Sequence, residues 1–369
     1  MMLKGSFLCG IIRFVMKKSV LGCCRDFINE PAFRGIIISL PFLILFVAII
    51  IHGVDVPAKD TLFFVPLIND LVSGQSGAWK DLLSVQLNEH RPILPVFIIL
   101  VVTILVGWHA KYLLVINAII VFILFLFIQN LARVVFKKFL KESEFFVWSV
   151  FSAVFLSSLS QWEIWMDATT LNLTLGLTAS VGAMLVAYRS RSVVVGFWGA
   201  AALCFLASFS ASYGLLSWPV VALIMTGRFL KNSAGNVVVD KKAVVLILSA
   251  WMILMAGTVG FYFGFYEVPA WPPPLSYGFF NPLELVAFGL VILGLSIFPV
   301  NVYWAVSVVV IVLIFTAVIF LSVRFFGEVK KEKLYSWLAL IIFGLLCTGA
   351  IATGRVGFGI NKAMLSRYI

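Results

Sequence analysis

The sequence predicts an all-α fold: a polytopic transmembrane helix bundle of about 9–11 apolar segments, with short amphipathic helices in its first outer loop. Three observations point there. Of 369 residues, 62% are hydrophobic and 12% charged, with mean hydropathy +1.11; a soluble domain carries roughly 45–50% apolar and about 25% charged residues. Apolar runs of membrane-spanning length alternate with short polar intervals. Basic residues gather at the ends of those runs, so the net charge of +11 reads as positive-inside anchoring and not as a nucleic-acid footprint. At this length the chain forms one membrane domain, not two or three soluble ones.

Residues 1–34 form a basic leader. Lys4, Arg13, Lys17, Lys18, Arg25 and Arg34 interrupt its apolar residues, which suits a cytoplasmic or interfacial amphipathic segment. No apolar core followed by a small-residue cleavage site marks it as a signal peptide. A single transmembrane domain then occupies residues 35–369, beginning with the span 35–52. Its basic flank places the N-terminus in the cytoplasm and the following loop, 53–91, outside. In that loop Phe64, Ile68, Leu71 and Val72 recur at helical spacing, residues 74–77 form a turn, and Trp79, Leu82 and Leu83 share one side of a second short helix. Cys9, Cys23 and Cys24 lie in the leader and Cys204 and Cys347 in apolar runs, so no disulfide framework is expected.

Runs 92–108 and 112–132 come next. If both cross fully, the basic cluster Arg133, Lys137, Lys138 and Lys141 lands outside, against the charge rule. Residues 92–108 are therefore expected to form a re-entrant or tilted interfacial helix. Further runs cover 145–159, 171–188, 193–210, 215–226 and 243–263, then 282–299, 302–323 and 334–353. One of 282–299 and 302–323 is expected to be incomplete, because Arg324, Lys330, Lys331 and Lys333 belong inside. About nine runs are long enough to cross.

Titratable residues converge on the outer mouth from three segments. The first loop holds Asp55, Asp60, Asp70, Asp81 and Glu89, and closes with Asn88-Glu89-His90-Arg91. A second segment, Ser160-Gln161-Trp162-Glu163, leads to Asp167, four residues beyond Glu163 and on the same face if the segment is helical. The C-terminal segment supplies Arg355, Arg367 and Tyr368. A carboxylate can act as general base on an acceptor hydroxyl, and arginines can clamp a phosphate through charge-assisted hydrogen bonds. Plainer roles compete: Asp60 equally suits an N-cap, Glu89 and Arg91 can pair with each other, and Glu163 and Asp167 sit among interfacial tryptophans. Tyr213 and Trp218 read as packing residues. Ligand type alone would let Asp60, Glu89 and His90 hold a divalent metal, but no spacing motif supports it. There is no phosphate-binding glycine loop, zinc spacing or nucleophile elbow.

Taken together, Asp60 after the first span, Asn88-Glu89-His90-Arg91, Ser160-Gln161-Trp162-Glu163, Ser208-Phe209-Ser210 with Tyr213-Gly214-Leu215-Leu216, and Arg355-Val356-Gly357-Phe358-Gly359 through Ser366-Arg367-Tyr368 resemble the GT-C superfamily of integral membrane glycosyltransferases. The closer resemblance is to a group of bacterial polytopic proteins in that mould. The resemblance implies that Asp60 is the catalytic base, that short helices of the first outer loop lie on the membrane, and that the donor is a polyprenyl-phosphate sugar. Proteins of this kind continue past the Ser-Arg-Tyr element into further spans. This chain ends at Ile369, one residue after that element, which leaves a truncated, a frameshifted or a naturally short chain as the alternatives.

The expected protein is thus a glycosyltransferase of a bacterial inner membrane, moving a sugar from a lipid-phosphate carrier to a cell-envelope glycan or lipid. Asp60, Glu89 and Glu163 are its catalytic candidates. His90, Arg91, Asp167, Arg355, Arg367 and Tyr368 are the substrate-binding ones. The rivals are a transporter or flippase of a lipid-linked or anionic solute and a non-catalytic membrane subunit. A transporter places ionisable groups at mid-membrane in broken helices, whereas the span interiors here are almost free of charge. The sequence leaves sugar, acceptor and oligomeric state open.

Overall fold

The computed structural model describes residues 30–57, 59–136, 141–234, 241–267, 274, 276–295, 309 and 331–364. Among these, every regular element is a helix. Five helices are long and apolar enough to cross a membrane. They are α1 (Pro31–His52), α5 (Ala110–Phe136), α8 (Leu171–Arg189), α11 (Lys241–Gly264) and α14 (Lys331–Arg355). The protein is a membrane-embedded helical bundle. Proline opens α1, where its missing N–H costs nothing and its fixed φ suits the first turn.

Two of the remaining apolar runs, 92–108 and 193–210, form helices shorter than the run. Helix α4 (Ile93–Val106) has 14 residues, α6 (Glu142–Leu156) 15 and α9 (Val193–Ser208) 16, while α12 (Ser276–Phe280) is a short turn of helix before α13 (Pro282–Leu295), which runs to the edge of the described residues. At 1.5 Å per residue a 14-residue helix is about 21 Å long, short of a hydrocarbon core of about 30 Å. Runs 92–108 and 193–210 include turn residues as well as helix. Run 92–108 gives up its end to Gly107, at φ 80, and run 193–210 turns at Phe209 into the 3-10 segment Ser212–Leu216 before α10 (Ser217–Ala234). In length, α4 agrees with an incomplete crossing. Apart from residue 309, run 302–323 lies outside the described residues, as do the leader up to residue 29 and the pair Lys137 and Lys138.

Helix α8 is the centre of the bundle, packed by α5, α9, α10 and α14. Its sequence explains how. Gly176, Thr178, Ala179, Ser180, Gly182 and Ala183 are all buried, and small residues let helix backbones approach closely where lipid offers no hydrophobic drive. A methyl at Gly182 would press on the Phe127 ring of α5.

The loop 53–91 packs against the bundle. After the 3-10 turn Lys59–Phe64 it forms α2 (Val65–Val72) and α3 (Ala78–Ser84). Phe64, Ile68, Leu71, Ala78 and Leu82 join one buried cluster with Leu45 and Ile49 of α1 and Val96 and Ile99 of α4. Gly74 and Gly77 take positive φ at the turn between α2 and α3, a backbone that glycine adopts without steric cost. The expected apolar faces are partly redrawn. Val72, Trp79 and Leu83 point away from the cluster, 54%, 59% and 48% exposed, alongside Leu62 and Phe63. The two helices are apolar on both sides, one side facing the bundle.

Candidate functional site

The end of the first loop is a presentation device. Leu87 and His90 exchange backbone hydrogen bonds, both 2.9 Å, around a turn in which Asn88 adopts φ 53. Asparagine tolerates the left-handed region better than other side-bearing residues. The Gln86 side chain braces the turn. Its amide donates to Asn88 O at 2.7 Å and to Glu267 O at 2.6 Å, and its oxygen accepts from Glu267 N at 3.0 Å. Tyr262 Oη donates to Glu89 O at 2.7 Å. Glu89 and His90 are thereby held at the tip.

Arg91 has a different task from the phosphate contact expected of it. It is fully buried and does not line the cavity described below. Its Nη1 donates to Phe261 O and Tyr262 O, each at 2.8 Å, and its Nη2 to Leu83 O. Phe261 and Tyr262 belong to the last turn of α11, where carbonyls have no helical partner and a cation is favoured. Four rings enclose the guanidinium, with Phe261 and Phe265 at 5.5 Å and Phe209 and Tyr262 at 5.9 Å. Arg91 rivets the loop to α11.

Beside the turn opens a cavity of about 370 Å³. Asp60, Glu89, His90, Glu163, Asp167 and Arg355 all line it, so three segments far apart in sequence meet in one place. Arg367 and Tyr368 lie outside the described residues. Below the charged end the wall is apolar: Val121 and Leu124 of α5, Leu177 of α8, Cys347 and Ile351 of α14. Cys347 and Arg355 are eight residues apart on one helix, so the cavity reaches roughly 12 Å into the bundle.

Each side chain is set by its element. Asp60 lies in the first turn of the segment Lys59–Phe64, and α2 is capped by Phe64 without a side-chain bond. Glu163 belongs to the five-residue α7 (Trp162–Met166). The chain turns extended at Asp167, φ −123, so Glu163 and Asp167 are not successive turns of one helix. Asp167 instead caps the 3-10 turn Ala168–Thr170, accepting from Thr169 N at 3.0 Å and Thr169 Oγ1 at 2.6 Å. Its other oxygen lies 3.9 Å from Lys59 Nζ, which also sits 4.9 Å over the Trp162 ring. Arg355, at the end of α14, pairs with Glu89.

Burial pushes the Glu89 carboxyl up, but His90 whenever it is protonated, together with Arg355, outweighs it and holds the group below the usual carboxylate range. Burial moves His90 the other way, below its ordinary value. With His90 neutral, Arg355 is the cation that Glu89 faces at neutral pH. Asp55 stays away from the cavity. It accepts from Lys111 N at 3.0 Å and lies 2.9 Å from His109 Nδ1, tying the end of α1 to the start of α5. Among the described residues no group of three or more His, Cys, Asp or Glu is arranged to hold a metal ion.

Sequence reasoning missed Lys59, Tyr213 and the buried polar set Thr170, Asn172 and Thr174, which also line the cavity. Lys59 had a visible signal, a cation next to Asp60 in a loop otherwise rich in acids. Tyr213 donates to Leu173 O, so it both packs and faces the cavity.

Compared with protein-family models, curated proteins and solved structures, the chain gives no significant match. Fold and site together define a class: a membrane-embedded helical protein with a charged vestibule opening into an apolar cleft.

Proposed function

We propose that the protein is a membrane glycosyltransferase moving a sugar from a polyprenyl-phosphate carrier to a cell-envelope glycan or lipid acceptor. One observation carries this. Carboxylates from two outer segments and an arginine from a third share one cavity whose charged end continues into an apolar cleft. A lipid-linked phosphosugar has the same polarity along its length. In this scheme Asp60 takes the proton from the acceptor hydroxyl as its oxygen attacks the anomeric carbon. The bond from that carbon to the carrier phosphate breaks, and the phosphate leaves with the electron pair. Arg355 and Lys59 balance the charge it gains. Glu163 orients the acceptor. The outer loop faces the periplasmic side of a bacterial inner membrane, with the N-terminus in the cytoplasm.

The test is sugar transfer from radiolabelled undecaprenyl-phosphate sugars in lipid extracts. Wild type should transfer label, and Asp60→Asn should lose it by about 100-fold or more, as removal of a general base does. Labelled donor that changes leaflet without losing its sugar would replace this function with a flippase. Equal transfer by both forms would remove Asp60 from the chemistry.

A further inference from the structure

Glu89, His90 and Arg355 form a coupled set, and its behaviour rests on the proposal that this site takes a phosphate-bearing ligand. Glu89 Oε1 stands between the Arg355 guanidinium, with which it pairs, and His90 Nε2 at 3.7 Å. The other nitrogen of His90 determines where its hydrogen lies. Nδ1 receives the backbone N–H of Ser212 at 3.1 Å, and an amide N–H only donates. Nδ1 is therefore unprotonated, and the neutral ring carries its hydrogen on Nε2, facing Glu89. Ser212 Oγ, 3.0 Å away, donates to the same nitrogen. Ser212 opens the short segment between α9 and α10, so the ring is fixed by backbone.

At 3.7 Å the Nε2–H falls just short of a hydrogen bond to Glu89, because Arg355 holds the carboxylate. A guanidinium forms strong paired bonds with phosphate, so a phosphate arriving at Arg355 competes directly with Glu89. We propose that the Glu89–Arg355 pair is a latch opened by a phosphate group, and that His90 is the positioning residue that catches the released carboxylate. Glu89 then turns toward the acceptor only after phosphate is seated, which orders the two substrates. The phosphate belongs either to a free anion or to a lipid headgroup.

The experiment is nitrogen NMR of the full chain in lipid nanodiscs with 15N-labelled histidine. The chain has three histidines, and spectra of His52→Gln and His109→Gln leave His90 assigned. At pH 7 without ligand, His90 should be neutral and protonated on Nε2. Inorganic phosphate and farnesyl phosphate are then titrated separately, and the Nε2 resonance should shift as its bond to Glu89 forms. A shift with both probes makes phosphate itself sufficient, and a shift with farnesyl phosphate alone makes the headgroup the ligand. Glu89→Ala should abolish the shift. Arg355→Gln should show the shifted position with no probe present, a result that a merely structural His90 would not give. An Nδ1-protonated or imidazolium His90, silence toward both probes, or an unchanged shift in Glu89→Ala would each overturn the proposal. None of these measurements needs turnover, so failure of the sugar-transfer assay and failure of the latch are separate results.

Discussion

At the scale of single residues, Asn88-Glu89-His90-Arg91 divides its labour. Asn88 makes the turn, Glu89 and His90 enter the cavity, and Arg91 anchors the turn to α11. The types were legible in the sequence, but their roles were not, because neighbouring side chains diverge and two of the three carbonyls that hold Arg91 lie about 170 residues away. Lysine cannot reproduce a planar fork that reaches three carbonyls. Arg91→Lys should therefore lower stability by roughly 3 kcal/mol, the sum of two or so buried acceptors left short, seen as a lower melting temperature in detergent. Equal melting temperatures would deny the rivet. His90 makes a pH prediction. Its folded value lies below the ordinary 6.5, so the unfolded chain takes up the proton first. The stability it contributes is complete above about pH 6.5 and is lost as pH falls toward the lowered folded value. Glu89, lowered from 4.5, acts with the same sign in a lower window. Between pH 7 and 5 wild type should lose more melting temperature than His90→Gln, and parallel curves would contradict this.

At the scale of elements, the short helices of the first loop were visible from spacing, as was the turn between them. Their outward faces were not, since Val72, Trp79 and Leu83 are as apolar as their buried neighbours and only packing separates the two sides. The hairpin between α9 and α10 shows the same limit. In the sequence Tyr213 reads as a packing residue and Ser212 carries no signal of its own, yet the segment positions His90 through Ser212 N. It does so by close approach, since a Cβ on Gly214 would run into the backbone of Ala207 and Ser208. Gly214→Ala should cost at least about 2 kcal/mol, the scale of overpacking that only a backbone shift can relieve, measured as loss of folded protein on heating. Because the shift displaces Ser212, the His90 tautomer signal should broaden or change in the same variant. An unaltered signal would separate the hairpin from the site.

At the scale of the whole molecule, we propose that α4, with 14 residues, does not cross, so that the loop holding Asp60 and His90 lies on one side and the cluster around Arg133 on the other. Cysteine labelling from the periplasm should reach Gly77→Cys but not Lys138→Cys in intact cells. Equal labelling of both would require α4 to cross. Composition and the spacing of apolar runs determined that the chain is an all-helical membrane bundle, because burying a backbone in lipid demands helices whatever their order. They also placed the charged residues at the ends of spans. Which of those residues meet was decided by tertiary structure alone. Asp60, Glu89, Glu163 and Arg355 become neighbours because α8, built from small residues, draws α5 and α14 against it and leaves one cavity at their common end. Arg91 is excluded because the last carbonyls of α11 claim it first. Such pairings depend on contacts between residues distant in the chain, and local periodicity carries no record of them.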